Sequence, residues 1–231
     1  MISVVTPTRG ARPGMLAEAI ASVRAQSLRP LEHLVVDDGS YSVDLGGEAT
    51  VIQIDGAGPG PARNAAIERA RGDVIALLDD DDMWHPRHLE TLYGEMVRTG
   101  ADVVYSDCFV ENRRDGYGFE VVDFDGDALM ERNFICLPAT IAKKEAVRAV
   151  GGFPDEPRGQ DWSLWKRMYQ AGMRFHHVPQ VTVSYRFHDD NLTYGGVDPM
   201  LTRQVKELHD AAQRGEISWT DYEQQAAEVW S

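Results

Sequence analysis
Apolar residues recur along the first hundred positions in two alternating rhythms. Short β-branched runs at 2–6, 34–36, 51–54 and 74–78 have the length and composition of strands. Between them, Leu16, Ile20 and Val23 repeat at i, i+4 and i+7, predicting a helix to about Gln26. Residues 62–70 read as a second helix with proline suited to its first turn, and Leu89, Leu92 and Met96 mark a third before a strand around 103–105. Pro7 is expected to end the first strand. The run Val74-Ile75-Ala76-Leu77-Leu78 is apolar throughout, as in a strand buried on both faces. Such alternation predicts βαβ units: an α/β domain with a mostly parallel central sheet flanked by helices.

The second half is less regular. Residues 115–127 are rich in Asp and Gly and read as a loop or β-ribbon, and 145–150 as a short helix ending at Gly151-Gly152. A helix over 161–171 carries Trp162, Trp165 and Met168 and stops at Gly172. Residues 181–187 alternate like a strand, and one or two C-terminal helices are expected from about Met200 to the end.

Charge narrows the function classes. The 231 residues include 23 Lys and Arg against 37 Asp and Glu, a formal charge of −14, which argues against a general binder of nucleic acid or anionic membrane. A 43% hydrophobic fraction excludes disorder as the default. No apolar window approaches a membrane span, and the start Met1-Ile2-Ser3-Val4-Val5 has no basic leader pattern, so the expectation is a soluble, cytoplasmic protein. Cys108 and Cys136 form no CxxC and lie among apolar residues, as buried structural thiols do.

Polar residues collect just beyond the carboxyl ends of the expected strands: Thr6-Pro7-Thr8-Arg9, Asp37-Asp38 and Asp79-Asp80-Asp81-Asp82. In an open parallel sheet that edge binds ligands. Four aspartates leaving a buried strand repel one another. A hard divalent cation is the usual compensation, while a solvated acidic turn or a helix N-terminal charge cluster is the alternative.

These segments, with Ala19-Ile20-Ala21-Ser22-Val23-Arg24-Ala25-Gln26-Ser27, Val35-Val36-Asp37-Asp38-Gly39-Ser40, Gly60-Pro61-Ala62-Arg63-Asn64-Ala65-Ala66-Ile67 and the stretch from Gly72 to Trp84, resemble the successive motifs of family 2 glycosyltransferases with the GT-A fold. The resemblance covers residues 1 to about 190. It implies a nucleotide-diphosphate-sugar donor, usually UDP-linked, and Mg²⁺ or Mn²⁺. Under it, Pro7, Thr8 and Arg9 would line the nucleotide pocket, and Asp38, with Asp37 beside it, would accept a hydrogen bond from the base. Arg63 matches an Ala-Arg-Asn motif that approaches the nucleotide or donor sugar. Asp79 and Asp81 match the outer carboxylates of a DxD motif, Asp81 as direct metal ligand and Asp79 or Asp80 near the ribose and sugar. Read without the resemblance, Asp37-Asp38-Gly39 is a turn and Arg63 a solvated helix residue.

Gly159-Gln160-Asp161-Trp162 resembles the family's Glu-Asp-Trp segment, with Gln160 replacing Glu, and implies Asp161 as catalytic base; an N-cap would also explain this aspartate. Tyr185-Arg186-Phe187-His188 resembles a segment in which His or Arg closes over the diphosphate, giving Arg186 to phosphate and His188 to metal. Asp107 is a further candidate for the cleft. His176 and His177 read as structural, and Trp162 and Trp165 as core, with stacking on an acceptor ring as the alternative use.

The implied organisation is a nucleotide-sugar-binding half over 1–110, an acceptor-binding and catalytic-base half over 111–199, and a helical extension over 200–231. The implied activity is metal-dependent, inverting transfer of a hexosyl or N-acetylhexosaminyl group to a hydroxyl or amine of a glycan or small natural product. A nucleotidyltransferase and a catalytically silent sugar-nucleotide-binding subunit are the rivals, and a homodimer is left open. A P-loop enzyme is disfavoured, because the glycine cluster at 56–60 lacks the Gly-Lys-Ser/Thr ending.

Overall fold
The computed structural model describes residues 1–39, 45–111, 122–156 and 158–186, with isolated positions 211, 216, 217 and 221. The chain divides into two compact units, Met1–Phe187 and His188–Ser231, and every element below belongs to the first. His188 and nearly all of the expected C-terminal helical region lie outside the described residues.

Eight strands form one sheet: β1 (Ile2–Thr8), β2 (Glu32–Asp37), β3 (Thr50–Gln53), β4 (Val74–Leu77), β5 (Met83–Trp84), β6 (Val103–Glu111), β7 (Thr140–Lys143) and β8 (Phe175–Arg186). Their spatial order is β3-β2-β1-β4-β7-β6-β8-β5. The first four are parallel, as the βαβ rhythm predicts, and β6 pairs parallel with β8. β7 runs antiparallel to both β4 and β6, and β5 antiparallel to β8, so the sheet is mixed rather than mostly parallel. The reversal comes from a segment of four residues, too short to show a period.

β1 continues through Pro7, contrary to expectation. Thr8 C=O accepts from Asp38 on the β2 side, while Val5 C=O accepts from Leu78 on the β4 side. Backbone groups alternate along a strand, so the nitrogen of Pro7 faces the β4 side, where pairing ends at Val5–Leu77. The missing N–H therefore breaks no ladder bond.

Helices cover both faces. α1 (Pro13–Arg24) buries Leu16, Ala19, Ile20 and Val23, and α3 (His88–Thr99) buries Leu89, Leu92 and Met96, each on the predicted stripe. α2 (Pro59–Arg69) packs through Ala62, Ala66 and Ile67 on the opposite face, where α6 (Gln160–Gln170) adds Leu164, Trp165 and Met168. Two six-residue helices, α4 (Gly126–Glu131) and α5 (Lys144–Ala149), complete that face. α4 begins inside the stretch expected to be loop or ribbon, because the Asp125 carboxylate accepts from the Asp127 and Ala128 amides and caps it.

Packing fixes the acidic turn. Val74, Ile75, Leu77 and Leu78 are fully buried, each contributing roughly 1.5–3 kcal/mol. Two like charges 4 Å apart near a protein surface repel by about 4 kcal/mol. Repulsion on this scale is comparable to what burial of the strand contributes, so the turn needs part of its charge offset.

Candidate active site
The carboxyl ends of β1, β2 and β4 meet at one edge of the sheet. There Thr8, buried at the end of β1, donates through Oγ1 to Asp80 Oδ2 at 2.5 Å, tying the loop after β1 to the acidic turn. Arg12, in that loop, places Nη1 3.4 Å from Asp81 and 3.9 Å from Asp80. Pro7 is half-buried and Arg9 is exposed. The Arg9 carbonyl lies where a side chain at Gly39 would stand, 2.5 Å from an ideal Cβ, so only glycine lets the loops after β1 and β2 approach this closely.

Asp37 and Asp38 are buried. Asp37 Oδ1 accepts from the Gly39 amide, which is the turn expected from the sequence. Asp38 reaches further: Oδ1 and Oδ2 accept from the Ala57 and Gly58 amides, each at 2.7 Å, holding the loop that starts α2. Gly58 caps this helix at φ +88°, a conformation that favours glycine.

Arg63 is buried, not solvated. The small neighbours Ala62 and Ala66 bring α2 close to the sheet, and Arg63 Nη2 donates to Asp79 Oδ1 at 2.5 Å while Nη1 donates to Gln160 Oε1 at 3.2 Å. Its guanidinium also lies over the Phe153 ring, 5.4 Å from the centroid. One side chain thus joins the acidic turn to the first turn of α6.

Asp161 stands in that first turn. It is not the N-cap: Gly159 occupies the cap position at φ +67° and no side chain caps the helix. Asn133 Nδ2 donates to Asp161 Oδ2 at 2.8 Å. Burial pushes the Asp161 carboxyl above the ordinary aspartate range, opposed by the Trp162 amide, by the charge of Arg63 and by Asn133.

The acidic turn is perturbed differently. Burial raises the Asp80 carboxyl to about 6, with Asp81 and Asp79 adding repulsion and Thr8 and Arg12 opposing it. Asp82, the member to which the family resemblance assigns no role, is fully buried. Its Oδ1 accepts from the Arg186 amide at 2.8 Å, and its Oδ2 has no protein partner. Burial, with Asp81 and Asp79 nearby, drives this carboxyl well above its usual range. One carboxylate oxygen from each of Asp79, Asp81 and Asp82 falls within 4.8 Å of the others. Oxygen donors so grouped, including a buried oxygen with no protein partner, suit a hard divalent cation such as Mg²⁺ or Mn²⁺.

Arg186 ends β8 beneath this turn. Its guanidinium is buried and donates to the Asp81 carbonyl, to Glu18 of α1 and to the Met15 carbonyl at 3.2 Å. Asp107 lies on β6 and pairs with His177 Nε2 at 2.8 Å, whose Nδ1 meets Asp123 at 2.9 Å. His177 also stacks on Tyr105, 5.1 Å between centroids, so its structural reading stands. Trp165 is wholly buried as a core residue, while Trp162 is half-buried, packs against the core and donates to the Leu129 carbonyl. Cys136 is buried and Cys108 half-buried.

A sequence model described as glycosyl transferase family 2 matches residues 3–134, more than half of the chain. The chain belongs to glycosyl transferase family 2. Among curated family relatives, the succinoglycan biosynthesis protein ExoW of Rhizobium meliloti (strain 1021) is 40% identical over 117 residues, covering 46% of this chain and 37% of ExoW. The UDP-Gal:alpha-D-GlcNAc-diphosphoundecaprenol beta-1,3-galactosyltransferase of Escherichia coli is 23% identical over 236 residues, 91% of this chain and 82% of that protein. The chain therefore spans well under half of ExoW and most of the Escherichia coli enzyme. Residues 1–349 of S. aureus TarS, solved in complex with UDP-GlcNAc, superpose with a TM-score of 0.69 at 18% identity, covering 99% of this chain and 71% of that one. The mixed α/β sheet of this family 2 chain is thus a GT-A fold. Among the described residues no helix is long and apolar enough to cross a membrane.

Proposed function
We propose that this family 2 chain transfers a sugar from a nucleotide-diphosphate donor, UDP-linked, to a hydroxyl or amine of a glycan or small-molecule acceptor, with inversion at the anomeric carbon. The observation that carries the reading is the bridge made by Arg63, which ties Asp79 of the acidic turn to Gln160, the neighbour of Asp161 in the first turn of α6. A leaving-group device and a base are the two parts that glycosyl transfer needs. The UDP-GlcNAc named for TarS and the UDP-Gal named for the Escherichia coli enzyme support the choice of donor.

Asp81, with Asp79 and Asp82, would hold Mg²⁺ or Mn²⁺. When bound, that ion supplies Lewis-acid stabilisation of the departing diphosphate. The chain's own residues do the rest. Asp161 takes the proton from the attacking acceptor, and its raised basicity suits the task. Asn133 orients that carboxylate. Arg63 fixes Asp79 and the start of α6, and Arg186 holds Asp81 and Asp82 from below. Pro7, Thr8 and Arg9 form one wall of the nucleotide pocket, and Asp38 shapes the facing wall through the Ala57 and Gly58 amides.

The test is Asp81→Ala, assayed for transfer and donor hydrolysis with a panel of UDP-, GDP- and TDP-sugars, with and without Mn²⁺. Loss of activity together with loss of Mn²⁺ dependence is expected, with UDP-sugars preferred by the parent protein. Unchanged activity of the parent protein in chelator would remove the metal from the reaction.

A further inference from the structure
Gln160 opens α6 one residue before Asp161, and it is buried. Its Oε1 accepts from Arg63 Nη1 at 3.2 Å, and α2 packs so closely here that a Cβ at Gly60 would stand 3.2 Å from the same Oε1 and 2.5 Å from the Pro154 carbonyl. The Arg63 side chain, 7% exposed, pairs with a single carboxylate among the described residues, that of Asp79. This buried guanidinium thus has one anionic partner and one neutral one. Two charged groups face Asp161 from the elements packed around it, Arg63 from α2 and Asp79 from the acidic turn, with the Trp162 amide and Asn133 as its polar neighbours. Their charges sum to zero. A carboxylate at position 160 would make the surroundings net negative, one residue away from Asp161.

We propose that Gln160 is a positioning residue for the transfer: its neutral oxygen holds Arg63 in the bridge, and its lack of charge leaves Asp161 free to lose a proton. The inference rests on the reading of Asp161 as base and deepens it. Burial already pushes the Asp161 carboxyl up, the Trp162 amide and the charge of Arg63 oppose this, and Asp79 adds to it. A further negative charge would act in the direction of burial. The neutral amide supplies the acceptor that the buried Arg63 needs without that cost.

The kcat profile against pH, at saturating donor and Mn²⁺, reads the proposal on two variants of the full chain. Gln160→Glu keeps the size and the acceptor oxygen but adds the charge. Its acid limb is expected to move upward by about one pH unit, with a melting temperature within about 4 °C of the parent protein. Gln160→Met keeps the length and the neutrality but loses the acceptor. It is expected to lower kcat by about three- to tenfold while its limb stays within about 0.3 pH units of the parent. A limb that stays in place in Gln160→Glu, or moves as far in Gln160→Met, would overturn the role of charge; an unchanged kcat in Gln160→Met would overturn the role in holding Arg63. If Gln160→Glu shows no cooperative melt, Gln160→Met decides: a lowered kcat with a fixed limb supports the proposal, and any other result overturns it. In each of these cases the reading of Asp161 as base stands as long as Asp161→Asn loses transfer. Full transfer by Asp161→Asn would remove the base, and the role of Gln160 with it.

Discussion

The acidic turn after β4 and the first turn of α6 both hold aspartates more basic than usual, with burial the first cause in each and like-charge repulsion weighing more at the turn. At the turn, burial acts together with mutual repulsion among Asp79, Asp80, Asp81 and Asp82, so an added cation relieves part of the perturbation. At Asp161 burial is again the largest cause, the Trp162 amide and the charge of Arg63 oppose it, and Asp79 adds only the last of the causes. A metal at the turn would therefore quench the basicity of the first group far more than that of the second. On the proposed reading, environment rather than residue type gives the acidic cluster and Asp161 their separate roles.

The largest expected effect that separates the two regions is at Asp161. Asp161→Asn should lower transfer by about 10²- to 10⁴-fold, the range of a lost general base, measured as initial rates at saturating donor. Arg63→Met breaks the link between the regions and should disturb both, lowering transfer by about 10- to 100-fold and stability by about 1.5–3 kcal/mol in urea unfolding. An effect on transfer without one on stability would mean that the bridge is not structural. Asp38→Ala should cost about 1–3 kcal/mol in the same unfolding assay, since two amides at the start of α2 lose their acceptor, with a smaller fall in transfer.

The finest distinction is in pH. In the proposed role Asp161 must be unprotonated, so activity is expected to fall as pH drops through its raised pKa, at a higher pH than for an ordinary aspartate. The Asn133 amide favours the charged carboxylate, and Asn133→Ala should move the acid limb of the kcat profile further upward. A limb that stays in place would detach Asp161 from the titration.

How far this was legible in the sequence follows from the physics of each element. Strands of apolar run and helices with i, i+4, i+7 stripes declare themselves locally, which is why β2, β4, α1 and α3 fall where the periodicity puts them and β1 begins there. β7 does not: Thr140-Ile141-Ala142-Lys143 is four residues long, and its direction is set by pairing with β4 and β6, far away in sequence. The acidic run was visible, and so was the Asp161 helix. That Asp82 is the buried member depends on β8, whose Arg186 amide donates to it from far along the chain, and that Arg63 is buried depends on the alanines letting α2 close on the sheet. Arg12 carried no local signal, since only the fold of the β1 loop brings it to Asp81.

The division of labour between the two regions is tested most directly by calorimetric titration of UDP into Asp161→Asn and Asp81→Ala, each with and without Mn²⁺. The account predicts that Asp161→Asn binds UDP within about twofold of the parent protein and keeps its Mn²⁺ dependence, whereas Asp81→Ala loses that dependence; the general-base contribution belongs to the reaction and not to binding. Loss of Mn²⁺-dependent UDP binding in Asp161→Asn, or its survival in Asp81→Ala, would contradict it.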